Sequence, residues 1–478
     1  MILKNKSSFF IFFLIGTFFI LKNINLEDYW IDEMFSFFIA DPSLDFLSTF
    51  NRHHNIEQIP ITFNILLKYF YYFFGYDVYK GRFLVAIFGI LNIFISYKIA
   101  ITFKDHQKFY LFFIFLVTMN IFLIKYSLEL RPYSLLALST NLSILYFFRY
   151  LNNNERKLNY LNLVLWTTIT SFIHPFGLVV LFSYILFFLF NMNLVKKYQI
   201  IPFALVIVML TLFYFFYFIN LNELTSWIPK LSLKFFTDFF FTRFFGSRIL
   251  GMVHLITLIV LSVIFFKKVI ASRKLTFLVI ILILAYLLPL IFAVIFKNIL
   301  IDRYLIFIIL PILLLISNLI SLIKNSKVRF NLFFFLVIMT IGNFLTENIF
   351  RNLIFEKDFG KPNFSEAFLF IEENNKEKYQ MYILPSAQDS LGEKKFFYEQ
   401  VDKSLKNYVE KIIFYKNYKT NLINSVKGNN YLNSTFWILC YKDINFSKCE
   451  VPLEKDKFSV IKEKDLKYLK IIRIKKTK

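Results

Sequence analysis

Cysteine is nearly absent from this chain of 478 residues: Cys440 and Cys449 are the only two, so no zinc framework can be assembled from thiolates. Both stand in the last quarter, where a disulfide would form only in an oxidising compartment and two unpaired thiols are the equal alternative. The chain also lacks a glycine-rich phosphate loop, an internal repeat and a low-complexity linker, which removes phosphate-cradling loops and solenoids from consideration. Acids are outnumbered, with 32 Asp and Glu against 55 Lys and Arg, for a net charge of +23. In a soluble protein that imbalance would point to nucleic acid. Here the basic residues gather at the ends of apolar runs and in the tail, so membrane orientation explains them and no nucleic-acid partner is expected.

What the chain has in excess is apolar surface: 57% hydrophobic residues, 67 of them Phe, and a mean hydropathy of +0.57. A bilayer is the solvent that fits this composition. Apolar runs long enough to cross about 30 Å of hydrocarbon lie near 8–24, 82–103, 109–126, 131–150, 158–173, 175–191, 200–219, 249–266, 275–296, 303–323 and 329–346, about eleven spans. The first is read as a retained span, because no small-residue cleavage site follows it. Alternate loops then carry Lys104/Lys108, Arg149/Arg156/Lys157, Lys196/Lys197, Lys267/Lys268/Arg273/Lys274 and Lys324/Lys327/Arg329, with Lys4 and Lys6 before the first span. All fall on one side, which the positive-inside rule makes cytoplasmic. The opposite face receives residues 25–81, 220–248 and the tail from 347. The expected arrangement is a multi-pass protein of a bacterial inner membrane, N-terminus cytoplasmic and C-terminal domain outside.

The first outer loop, 25–81, holds aromatic amphipathic stretches such as Tyr69–Phe74 and is expected to form short interfacial helices, not a further crossing. The tail has a different grain. Alternating Lys, Glu and Asn surround short β-like runs at Met381–Leu384, Phe436–Cys440 and Leu469–Ile474, and a helix over 365–374 is opened by Ser365 as N-cap. The domain reading is a transmembrane catalytic domain over 1–346 and a small α/β domain over 347–478.

Chemistry-bearing residues concentrate on the outer side. Asp32 and Glu33 stand a few residues past the first span in Tyr-Trp-Ile-Asp-Glu-Met-Phe-Ser, where aromatic neighbours hold them near the membrane surface. A carboxylate there can take a proton from an acceptor; loop solvation is the bland reading. Arg82, Arg131 and Arg303 each end a span at the outer side, the depth of a lipid phosphate, which guanidinium groups bind with charge-assisted hydrogen bonds. Interface anchoring and an ion-pair network with Glu129 and Asp302 are the competing roles. His53 and His54, near Glu57, could join Asp32 around a divalent cation, although spacing alone leaves the metal unknown and polar loop histidines are the commoner case. His174, before Pro175, reads as a hairpin residue. Trp30 and Trp227 can stack on a sugar ring, with interface anchoring the ordinary role.

In order, these features resemble the GT-C superfamily of polytopic glycosyltransferases, especially protein O-mannosyltransferases and lipid A aminoarabinose transferases. The acidic pair Asp32-Glu33 follows the first span; Glu57-Gln-Ile-Pro60 and Phe-Gly-Tyr-Asp-Val-Tyr-Lys-Gly-Arg82 come next; Glu129-Leu-Arg131-Pro-Tyr133 and Asp302-Arg303-Tyr304 with Pro311 follow. The likeness runs from about residue 8 to 325. The family's usual His-Pro-Pro is replaced by Gln58-Ile59-Pro60, which puts a family metal or acceptor contact there in doubt. The resemblance implies a polyprenyl-phosphate sugar as donor, membrane lipid around it, an extracytoplasmic acceptor, and inverting transfer. Asp32 is then the leading base, with Glu33 beside it; Arg131, Arg303 and Arg82 hold the donor phosphate, and Glu57, Tyr133, Tyr304 and His54 line the substrate. The competing functions are a lipid-linked sugar transporter or flippase, and a polysaccharide polymerase or ligase. A transporter places polar residues near the midplane, whereas the acids here collect at the outer ends of the spans.

Overall fold

The computed structural model describes residues 2–24, 27–57, 59–103, 110–152, 157–192, 197–218, 228, 230–351, 353–354, 361–375, 381–384, 435–441, 458–466 and 468–476. Gln58, Trp227 and Cys449, with the loop residues Lys104, Lys108, Arg156 and Lys196, lie outside them. The chain forms two compact units. The first comprises Met1–Ile24, Ser43–Phe70 and Arg82–Phe355; the second comprises Asn25–Pro42, Tyr71–Gly81 and Glu356–Lys478.

The main helices in chain order are α1 (Ile2–Asn23), α2 (Ile31–Ile39), α3 (Phe46–Ile56), α4 (Thr62–Phe74), α5 (Val78–Thr102), α6 (Tyr110–Thr118), α7 (Ile121–Tyr126), α8 (Tyr133–Asn152), α9 (Lys157–Ile173), α10 (Gly177–Phe190) and α11 (Lys197–Phe218). They continue as α12 (Arg248–Ile264), α13 (Arg273–Ile295), α14 (Ile309–Ser321), α15 (Ser326–Thr346) and α16 (Phe364–Asn374). Among the described residues the apolar runs picked out in the sequence are helical over most of their length. The run at 109–126 divides into α6 and α7, because Asn120 caps α7 by accepting the Leu123 N–H at 2.9 Å and gives its amide to Phe244 O at 3.0 Å.

Among the described residues, four helical stretches are long and apolar enough to cross a membrane: Val78–Thr102, Arg273–Ile295, Asp302–Ser321 and Ser326–Thr346. They differ in what surrounds them. Asp302–Ser321 is 89% buried within the protein, whereas Arg273–Ile295 is 22% and Ser326–Thr346 17% buried. On α13 the exposed residues Ile283, Leu287, Ile291 and Val294 fall at helical spacing, as do Phe330, Phe334, Ile338, Ile341 and Leu345 on α15. Such stripes suit hydrocarbon as their surroundings. Close packing inside the first unit depends on Gly89 of α5, where a β-carbon would lie 2.4 Å from Ser127 Cβ. The glycine thus lets α5 touch the turn that follows α7. The first-loop helices α2, α3 and α4 have 9, 11 and 13 residues. At 1.5 Å per residue even α4 reaches only about 20 Å, too short for a crossing.

In the second unit, α2 and the 71–81 segment share an aromatic core. Phe37 stacks on Tyr76 at 4.3 Å, Tyr71 meets both rings, and Tyr76 donates to Phe37 O at 2.9 Å. The tail contributes α16 and a four-stranded sheet of β1 (Met381–Leu384), β2 (Phe436–Tyr441), β3 (Phe458–Leu466) and β4 (Leu469–Lys476) in the order β1-β2-β4-β3. β1 and β2 run parallel, and the other pairs are antiparallel. β2 is central and apolar on both faces: Phe436, Trp437, Ile438 and Leu439 are all buried. The α16 cap is Asn363, whose side chain accepts from Glu366 N at 3.1 Å, and not the expected Ser365, which lies within the helix. Asn is as good a cap as Ser, and the first turn begins two residues sooner.

Candidate active site

The first unit assembles its charged residues around the start of α8. After α7 the chain turns sharply, with Arg131 N donating to Glu129 O at 2.7 Å, and Pro132 O then accepts the Leu136 N–H at 2.8 Å to open the new helix. This places Arg131 just before α8 and Tyr133 on its first turn. Arg131 reaches Glu57, the C-cap of α3 and 74 residues away, through both terminal nitrogens: Nη1 to Oε1 and Nη2 to Oε2 at 3.0 Å. The side chains are 7% and 6% exposed. A fork of this kind in a protein interior fixes both partners, because the guanidinium and carboxylate match in plane and spacing.

One turn before Glu57, His53 is fully buried, donating from Nε2 to Ile59 O at 2.6 Å and accepting at Nδ1 from Asn64 at 3.0 Å. Both ring nitrogens are thereby engaged, and burial, opposed by the Glu57 charge, holds its pKa below the usual value. His54 is exposed on another face of α3 and stacks on Phe50. Among the described residues no group of three or more His, Cys, Asp or Glu side chains is arranged to hold a metal ion. With His53 committed and His54 facing away, the histidines near Glu57 do not fit a divalent-cation site.

The Asp302–Ile308 segment forms a 3-10 turn before α14, and it carries Arg303 and Tyr304 to the same cluster. The Arg303 guanidinium lies 5.7 Å from the Tyr133 ring centre and 5.9 Å from that of Tyr304. Tyr304 in turn packs on His174 at 4.6 Å, Phe176 at 5.5 Å and Tyr133 at 6.1 Å. The hairpin that supplies His174 and Phe176 requires Gly177, because a β-carbon there would lie 2.2 Å from Thr170 O in α9. Glu57, Arg131, Tyr133, Arg303 and Tyr304, each a candidate from the sequence, are thus brought together. Arg82, also a candidate, is buried in the same unit and donates to Ile24 O at 3.3 Å, past the end of α1.

The acidic pair belongs to the second unit and opens α2. Its two members have different surroundings. Glu33 is fully buried, accepts from Trp30 N at 3.4 Å and pairs with Lys361 Nζ at 2.9 Å, while Asp32 is half-buried. Lys361 also lies 5.7 Å from the Trp30 ring centre. The carboxylates at the start of α2 suit the positive end of the helix dipole. Sequence reasoning missed Lys361, one basic residue among many in the tail. It gave His174 only a turn role.

Chemically, the first unit brings two guanidiniums, a carboxylate and several aromatic rings together, and the second offers a half-buried carboxylate. No family model matches the sequence, and no curated protein matches it. Among solved structures the chain is similar to ArnT from Cupriavidus metallidurans in the apo state, at 11% identity and TM-score 0.55 over 98% of each chain. The same protein bound to undecaprenyl phosphate gives 10% identity and TM-score 0.52 over 97% of each chain. The Archaeoglobus fulgidus oligosaccharyltransferase tethered with an acceptor peptide containing the NVT sequon gives 12% and 0.51, covering 91% of this chain and 68% of that one. At such identities the likeness is one of fold. The chain shares the mainly helical fold of these structures and carries a small C-terminal sheet.

Proposed function

We propose that this chain is a membrane glycosyltransferase that moves a sugar from a polyprenyl-phosphate-linked donor to an acceptor on the outer face of a bacterial inner membrane. The observation that carries the reading is the buried cluster in which the Glu57–Arg131 fork stands with Arg303, Tyr133 and Tyr304, in a fold shared with a structure bound to undecaprenyl phosphate. Two guanidiniums beside aromatic rings suit a phosphate that must leave with its electron pair. In this reading Arg303 meets the phosphate oxygens directly, and the Glu57–Arg131 fork keeps Arg131 aimed at the same place. Asp32, the more accessible acid of the pair, takes the proton of the acceptor hydroxyl or amine. The acceptor heteroatom attacks the anomeric carbon, the bond from that carbon to the phosphate oxygen breaks, and the polyprenyl phosphate departs. One displacement inverts the anomeric centre and needs no carboxylate nucleophile.

The test is transfer by the purified chain from a panel of polyprenyl-phosphate sugars. Asp32→Asn is expected to lower kcat by about 1,000-fold, within the range for a lost general base, with an unchanged Tm. Full turnover in that variant would remove Asp32 as the base. Movement of the lipid-linked sugar across the membrane with no transfer would establish the transporter reading instead.

A further inference from the structure

His174 sits in the hairpin between α9 and α10, 2% exposed, with ring contacts to Tyr304 at 4.6 Å, Phe176 at 5.6 Å and Tyr133 at 6.2 Å. Its tautomer follows from the one described hydrogen bond to the ring. Phe176 N donates to Nδ1 at 3.2 Å, so in the neutral ring the proton is on Nε2. Nε2 is buried, and no hydrogen-bond partner reaches it among the described residues. The neighbouring aromatic faces are weak acceptors at best. A buried N–H without a partner calls for an explanation, and a ligand or an ordered water is the ordinary one.

The surroundings decide which ligand. Burial, together with the charges of Arg131 and Arg303, holds the ring neutral, so His174 is not a third cation. The same two guanidiniums disfavour a metal ion, and offering a lone pair at Nε2 would forfeit the bond from Phe176. What remains is an atom that accepts a hydrogen bond and carries negative charge. We infer that His174 Nε2–H is a further binding group of this site, donating to an oxygen of the phosphate that Arg303 holds. The inference rests on the proposed use of a polyprenyl-phosphate donor. A neutral donor at that point adds one more directed hydrogen bond to the phosphate without adding charge.

The experiment measures binding of undecaprenyl phosphate, and separately of inorganic phosphate, to the purified full chain in lipid nanodiscs. It compares the parent protein with His174→Phe, His174→Gln and Arg303→Ala, with the Tm of each without ligand as the folding control. His174→Phe is expected to weaken lipid-phosphate binding about tenfold, the size of one hydrogen bond to a charged group, and His174→Gln, which presents an amide N–H, to recover most of it. A nitrogen-15 NMR signal assigned to His174 by its loss in His174→Gln, with the other histidine signals unmoved, should shift on ligand addition in the parent protein. Loss of binding in Arg303→Ala with none in His174→Phe and an unmoved signal would overturn the role of His174 and leave the phosphate reading intact. No binding of either ligand by the parent protein would overturn both. Binding of inorganic phosphate as tight as the lipid, with the same His174 dependence, would keep the histidine as a phosphate group and remove the lipid donor.

Discussion

The Glu57–Arg131 and Glu33–Lys361 pairs each bury a glutamate, yet they are built from different partners and span different stretches of chain. Arg131 grips Glu57 with two nitrogens, and both side chains are shielded to a similar degree. Lys361 touches Glu33 with one nitrogen, is 15% exposed against 0% for the glutamate, and comes from 328 residues away. A planar fork constrains the angle at which two segments meet. An ammonium is a point charge that tolerates rotation. The first pair therefore fixes the geometry of α3 against the start of α8, next to the residues proposed to hold phosphate, and the second secures the acidic turn of α2 to the tail in its own unit.

Removing one partner at a time should expose that difference. Arg131→Ala leaves Glu57 charged in a closed interior, and the expected loss is about 3–5 kcal/mol of stability, read as a fall in Tm. The double variant Glu57→Leu with Arg131→Met should regain most of that stability and none of the transfer activity. A double variant no more stable than the single one would show that the fork is not the source of the loss. Lys361→Met is expected to cost less, about 2 kcal/mol, because water reaches its end of the pair. Glu33→Gln in the same chain should restore the Tm, and a cost equal to that of Arg131→Ala would make the two pairs equivalent.

Acidification separates them more gently. His174, beside the Arg131 pair, titrates at about 3 in the folded chain against an ordinary 6.5, chiefly through burial. Between those values the unfolded chain binds a proton that the folded chain refuses, so stability drops as pH falls below 6.5 and the loss levels off near 3. The slope from this group is at most about 1.4 kcal/mol per pH unit. Denaturant titrations at pH 7 and 5.5 should show a smaller decline for His174→Gln than for the parent chain, and equal declines would mean that the folded histidine takes up its proton over the same pH range as the unfolded chain.

Much of the fold could be read from the sequence because hydrocarbon imposes long apolar runs and short helices betray themselves by aromatic periodicity. α1, α5 and α8 to α15 begin or end within a few residues of the expected spans, and the short first-loop helices appear where amphipathic stretches stood. The break at Asn120 escaped notice because a single capping residue does not lower the apolar content around it. Three tail strands were visible as apolar runs, whereas β3, with Lys462, Glu463, Lys464 and Asp465, was not: among the described residues it is an edge strand, and edge strands are commonly charged. In the site, Glu57, Arg131, Tyr133, Arg303 and Tyr304 were individually legible from residue type and place. That Glu57 would engage Arg131 was not, since the two are joined only by tertiary packing. Lys361 was lost among the many lysines of the tail, and the unmatched nitrogen of His174 is a property of its surroundings that no spacing records.

The contrast between Asp302–Ser321, walled in by protein, and the apolar flanks of α13 and α15 carries over to handling. An amphiphile that extracts this chain must form its collar on those flanks, so a change of detergent acts first on the rim and reaches the Arg303 turn only by way of it. Amide exchange should therefore be slowest along 309–321 and should quicken on α15 as the collar thins.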